Sequence, residues 1–372
     1  MTQTAAKPQG DQKSEPSSSA ETDWALGPGS VSWEVMRDPT VFIVGLLREA
    51  LLLALHPPFA AAAVDHDSFG DDPVMRFRHV AIYTYGATYG TKADAERVSA
   101  MVRRTHTRIV GVEPLTSIPY RAHSEYELAL TSAMLTASFL ATYEEIHGEL
   151  LSTRRDQFVQ EQKVPAALLG IHPEHLPSSY GELVDFVAHA RQKFATGLQA
   201  REIIAPFADA EYPAGTVIGD LSGGKRKLAM FAARTIADMA ILTMSSEEQS
   251  LLSINRRPKL GSRSLSRKAL HLFSRYMRSE KGEQMFDSFL KSNTAGIFRA
   301  ALKVDDARGG RTRIATFEVP DASLFVVDVP DMVHNWPGST DSYLLGGDRR
   351  PNNLELTEGM IPEKFRRAKT AS

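Results

Sequence analysis

A mainly α-helical fold with a small C-terminal β-hairpin is what this chain predicts, and three observations carry the prediction. Over residues 95–110 and again over 124–148, apolar residues recur at three- and four-residue spacing, as a helix with one buried face requires. Around the glycine-rich run GDLSGGKR at 219–226 no alternation of strand and helix patterns appears, which argues against a doubly wound α/β sheet. β-Branched runs bounded by turn residues stand together near the C-terminus, TRIATFEV and SLFVVDV, and these read as the hairpin.

Composition sets the limits. With 372 residues, 42% hydrophobic and 24% charged, the chain is long enough to bury a sizeable core. A formal net charge of −2 gives no global field toward nucleic acid or an anionic membrane. The absence of cysteine excludes disulfides, thiolate haem ligation, iron–sulfur clusters and cysteine-based zinc sites, and fits a cytoplasmic protein. The expected organisation is a disordered tail over 1–23, a helical domain over 24–300, a small β element over 301–340 and an irregular tail over 341–372. The polar, low-complexity start shows no pattern of a signal peptide.

A helix begins after Asp38, with Pro39 in its first turn, and should end near His56, because Pro57 and Pro58 follow. Residues 41–55 are too few to cross a bilayer and contain Arg48 and Glu49, so they read as a buried helix. His56 then lies at the helix end, its ring within reach of the last carbonyls. The small-residue helix AAAAV follows. His66 is either exposed at the turn of Asp65 and Asp67 or folded over a pocket.

Arg76 opens the next helix, where a cation opposes the helix dipole. It is therefore recruited by a partner, either Asp71 or Asp72 at the surface or an anionic group of a ligand. On the helix after it, Ala95, Val98 and Val102 lead by helical spacing to His106, while Arg97, Arg103, Arg104 and Arg108 point elsewhere. An imidazole on an apolar stripe must be satisfied, since burying an unpaired polar group costs roughly 1 to 3 kcal/mol. A hydrogen bond, a charge partner or a metal would each serve.

These segments carry a resemblance. The runs HPPFAAAAVDHDSFGDDPVMRFRH, YGTKADAERVSAMVRRTHTRIVG and IPYRAHSEYELAL hold His56, Pro57, His66, Asp72, Pro73, Arg76, Gly90, Thr91, His106 and Gly111 in the order typical of one family. The chain resembles the latex-clearing protein (rubber oxygenase) and MpaB-type oxygenase family, all-helical haem b proteins. The resemblance implies a haem b-dependent oxygenase that oxidises or cleaves a C=C bond of an apolar, isoprenoid-like small molecule with O2. It implies His106 as the proximal iron ligand. Arg76 would lie close to the haem, positioning a propionate or polarising bound oxygen, and His79 would stand near the distal side. His66 and Ser132 would be further cofactor-facing positions. Two departures stand out: Val80 where the family usually has threonine, and Ser132 where many relatives carry a second histidine. They favour the first alternative, a haem protein with peroxidase-like or other non-cleaving chemistry. The second alternative is a haem-free helical binding module.

The later segments read more plainly. His172 and His175 flank Pro173 on a loop and are expected to face solvent, and Ser179 with Glu182 resembles a capping box. GDLSGGKR has phosphate-loop spacing, but Arg226 stands where a magnesium-binding hydroxyl belongs, so it reads as a glycine-rich loop before a helix. The basic run over 255–281 reads as a solvated helix face, with peripheral membrane or nucleic-acid contact as the alternative.

Overall fold

One helix, α2 (Pro39–Leu53), is buried along nearly its whole length, and other helices are laid around it. It is apolar on every side, which only a central position can satisfy. In the computed structural model the described residues are 23–66, 73–114, 116–209, 218–252, 262–290, 293–308 and 317–326. The expected terminal tails, apart from Asp23, lie outside them.

Around α2 pack α1 (Val31–Met36), α6 (Glu125–His147), α11 (Gly223–Leu242) and α13 (Ser262–Met277). Asp38 caps α2 by accepting from the Thr40 N–H, as the Asp-Pro start predicts. α6 lies closest. A Cβ added at Gly45 would meet the Phe139 ring at 2.8 Å and the Ser138 carbonyl at 3.2 Å, so glycine sets this approach. Gly45→Ala is expected to destabilise the chain in urea unfolding. Overpacking costs about 1–3 kcal/mol, which outweighs the helix-propensity gain of up to about 1 kcal/mol.

α4 (Pro73–Tyr89) and α5 (Lys92–His106) form a second layer, closed by α14 (Glu280–Leu290) and α15 (Asn293–Ala307) against α4. Trp33 of α1 donates its indole N–H to the Thr88 carbonyl, and Tyr89 donates back to the Trp33 carbonyl. Each buried aromatic thus satisfies its polar atom while packing its ring. One hydrophobic cluster runs from Ala25 to Ala301. Among the described residues no single helix is long and apolar enough to cross a membrane.

Among the described residues the architecture is mainly α with one small antiparallel sheet, as expected, and this sheet lies apart from the expected hairpin. It pairs β1 (Val110–Val112) with β2 (Pro119–Arg121), directly after α5. The sequence patterns missed it because each strand has three residues, too few to show alternation. Of the expected C-terminal hairpin, residues 317–326 are described and hold no strand. Ala322–Phe325 is instead a 3-10 turn, capped by Asp321 accepting from the Ser323 N–H. The rest of that expectation falls outside the described residues.

Candidate active site

His106 is the last residue of α5, and its neighbours come from distant segments. α5 itself starts with a reciprocal capping box between Thr91 and Asp94 and buries Ala95, Val98 and Ser99, the face the sequence indicated. Its end is held because the sheet follows at once. The Ala122 N–H donates to the Ile109 carbonyl, which returns the chain after β2 to the His106 side chain. The end of α3 (Pro57–His66) is pinned to the same sheet. There the His66 ring lies 2.9 Å from the Val110 carbonyl, and Tyr120 donates to Asp65 at 2.7 Å.

The Nδ1 atom of His106 is buried and has no hydrogen-bond partner. The ring's remaining polar contact is with the Ala122 backbone. Burial above all, then the charge of Arg76 and the neighbouring His123, push the imidazole pKa down to about 4, so the ring is neutral near pH 7.

A cavity of about 410 Å³ opens beside it. Its walls include His106, His123, Glu125, Leu128, His172 and His175. His123 also has a buried Nδ1 without a partner, and burial followed by the Arg121 charge lowers its pKa. His172 and His175 correct the sequence reading, because the loop that carries them folds inward. His175 is buried with its Nδ1 2.7 Å from the Glu125 carboxylate, and the His172 N–H donates to the same carboxylate. Burial works against the Glu125 charge, but these contacts outweigh it and hold the carboxyl below its ordinary value. Helix spacing alone could not show this. The clue was Glu125 just inside the α6 N-terminus, cavity side, and its partner lies far along the chain.

Arg103 also departs from the expectation that it points away. It lines the cavity, pairs with Glu96 at 2.6 Å, donates to the Leu168 carbonyl, and lies 4.9 Å from the centre of the Phe325 ring. This contact and Gly170 fasten the 322–325 turn to the cavity rim. Gly170 has φ +89°, and an added Cβ would lie 3.0 Å from the Phe325 carbonyl oxygen.

Arg76 sits in the first turn of α4 with its guanidinium 5.7 Å from the centre of the Phe59 ring. Its charge is felt by both His106 and Glu49. Burial lowers its pKa to about 10 against the opposing pull of Glu49. Glu49, buried on α2, is pushed up to about 8 by burial, less the stabilising effect of Arg76. The folded chain therefore holds a proton there that the unfolded chain releases above an ordinary carboxyl pKa of about 4.3. Stability falls as pH rises from that value to about 8. Glu49→Gln is expected to flatten the urea midpoint between pH 6.5 and 8.5, where wild type loses on the order of 1–2 kcal/mol. His106 acts the other way, and only below about pH 6.5, its ordinary pKa.

Of the expected site residues only His106 is on the cavity wall; Arg76, His66 and the others are not. His79 is exposed, because α4 turns Ala81, Thr84, Tyr85 and Thr88 to the core and His79 lies on the opposite side. Ser132 lines a separate small cleft with Thr136 and Lys163, and its carbonyl accepts from the Thr136 hydroxyl. His56 does not hold helix-end carbonyls. Its Nε2 lies 3.1 Å from a Glu127 oxygen on α6, and its Nδ1 is buried without a partner. Among the described residues no group of three or more His, Asp or Glu side chains could hold a bare metal ion.

No curated protein and no solved structure is similar enough to the chain to count as a match. The family model described as "ER-bound oxygenase mpaB/B'/Rubber oxygenase, catalytic domain" matches residues 33–277, a span from α1 through α13 that contains His106, Arg76 and every cavity residue except Val326. The chain belongs to the mpaB and rubber oxygenase family of enzymes.

Proposed function

We propose that the chain is a haem b-dependent oxygenase in which His106 holds the iron. Its substrate is an apolar, isoprenoid-like small molecule whose C=C bond is oxidised or cleaved with O2. The observation that carries this reading is the buried, unpartnered Nδ1 of His106 beside a cavity of about 410 Å³. Leaving a buried nitrogen unpaired costs about 1–3 kcal/mol. A ligand-binding role explains that cost, because among the imidazoles with a buried, unpartnered Nδ1 it is His106 that stands on the α5 apolar stripe and lines the cavity.

The residues fit the group in three further respects. The imidazole is neutral, the form that binds a metal. The Ala122 backbone contact fixes the ring, as outer contacts of metal-bound histidines do. The cavity falls in the size range of cofactor and small-molecule sites, about 300–1,000 Å³. Haem, when bound, supplies the oxygen chemistry that protein side chains lack. The chain's own part is to bind and orient. His106 offers a lone pair, and Arg76 offers a positive charge to a propionate. The Glu125 contacts to His172 and His175 keep the cavity wall in place. His123 presents a second nitrogen able to take or hold a proton.

A second reading, non-cleaving peroxidase-like chemistry, is favoured by Val80, which packs against the core and supplies no hydroxyl. Two measurements decide. Purified protein expressed with ample haem is expected to show a Soret band. Its absence overturns the haem reading in favour of a helical binding module. With ¹⁸O₂ and an isoprenoid alkene, label in carbonyl products supports cleavage, and oxidised product without cleavage supports the second reading.

A further inference from the structure

Five of the twelve exposed large apolar side chains among the described residues stand on two helices that pack against each other, α11 and α13. On the N-terminal half of α11, Leu228 and Phe231 are 70% and 69% exposed. On this half of the helix Ala229, Met230 and Ala233 turn partly inward, and Leu228 and Phe231 straddle the opposite side. On α13 the exposed residues are Leu265, Leu272 and Tyr276, at spacings of seven and four that bring all three into one stripe. The inward face of α13 is already filled by Leu270, Ser274 and Met277. These apolar side chains are therefore surplus to the core.

Cations surround them. Lys225, Arg226, Lys227 and Arg234 are exposed on α11, and Lys268 and Arg275 on α13. None of the six has a carboxylate partner among the described residues. Some exposed arginines elsewhere are paired, as Arg97 is with Asp94 and Arg299 with Asp287, while others such as Arg104 and Arg108 stand singly among the described residues. Neither residues 223–237 nor residues 262–279 contain an acidic residue, in a chain whose net charge is −2.

We propose that the exposed faces of α11 and α13 dock on an anionic lipid surface, with Leu228, Phe231, Leu265 and Leu272 entering the interface and the six cations meeting lipid headgroups. Solvated apolar side chains flanked by lysine and arginine on a helix are the arrangement that lies in a membrane interface. Charge complementarity selects anionic lipid over a neutral bilayer. A nucleic acid would use the cations but leave the three leucines in water, since base stacking needs aromatic rings.

The test is co-sedimentation of the full chain with vesicles of phosphatidylcholine alone and of phosphatidylcholine mixed with phosphatidylserine. The expected result is partitioning onto the mixed vesicles that weakens with added salt. Each cation replaced by glutamine, first Lys227→Gln and Lys268→Gln, should weaken it about fivefold, the ratio that corresponds to about 1 kcal/mol per charge. All these side chains are exposed, so the variants keep the fold, checked by circular dichroism. The apolar pair Leu228→Ser with Phe231→Ser should abolish partitioning while leaving all six cations in place. Three results overturn the proposal: equal sedimentation with neutral vesicles, binding to a DNA or RNA duplex but not to vesicles, or concentration-dependent self-association without vesicle binding.

Discussion

Arg48→Ala is expected to lower unfolding free energy by about 3 kcal/mol, because it leaves a buried carboxylate with only the longer contact to Arg191 at 3.6 Å. Arg48 lies in the middle of α2 and is buried. One terminal guanidinium nitrogen donates to both oxygens of Glu248 at 2.9 Å, and the other donates to the Ser138 hydroxyl at 2.8 Å. The Glu248 carboxylate also accepts from the Ser245 N–H and so closes the capping box of α12 (Ser246–Leu251). One arginine therefore joins α2, α6 and α12. Burying an ion pair is expensive, so the loss comes from breaking the pair rather than from the pair's net worth. The double change Arg48→Met with Glu248→Gln removes both charges and leaves an amide oxygen for the cap. Its urea midpoint is expected to fall by clearly less than the sum of the two single changes. Additivity would mean that the two side chains act independently.

His106→Ala is expected to remove the Soret band of protein made with ample haem, and with it any O2-dependent product. The fold should survive. Alanine removes the buried Nδ1 together with its unmet hydrogen bond, which offsets part of the usual cost of a large-to-small change. Circular dichroism and urea unfolding of the haem-free proteins test this separately. Imidazole added to the variant should enter the vacated space and restore part of the band. A variant that keeps the full band places the iron on another residue, for which His123, a neighbour of His106 in the cavity wall, is a candidate.

Local pattern determined a good deal of this protein. The buried face of α5 follows from the spacing of Ala95 and Val98, and the start of α2 from Asp38 before Pro39. Helix caps are short-range bonds between residues two or three apart, so they are legible in the chain. At Ser179, Glu182 donates to the serine as expected, although its carboxylate accepts from Ser178 instead. The apolar character of 41–55 showed a buried helix, and His106 was visible as the one imidazole on an apolar stripe.

Tertiary structure decided what surrounds that imidazole. His123, His172, His175 and Glu125 meet at the cavity across a sequence separation of about fifty residues, which no period or cap encodes. Arg103 lies off the buried stripe of α5 and still lines the cavity, because the Leu168 carbonyl and the Phe325 ring come to it from distant segments. Glu49 was legible only as a charge within a buried helix, and its raised pKa arises because α2 is enclosed along nearly its whole length. Short-range geometry is written in neighbouring residues. The electrostatics of a buried group depends on which distant segments exclude water from it, and only the folded chain sets that.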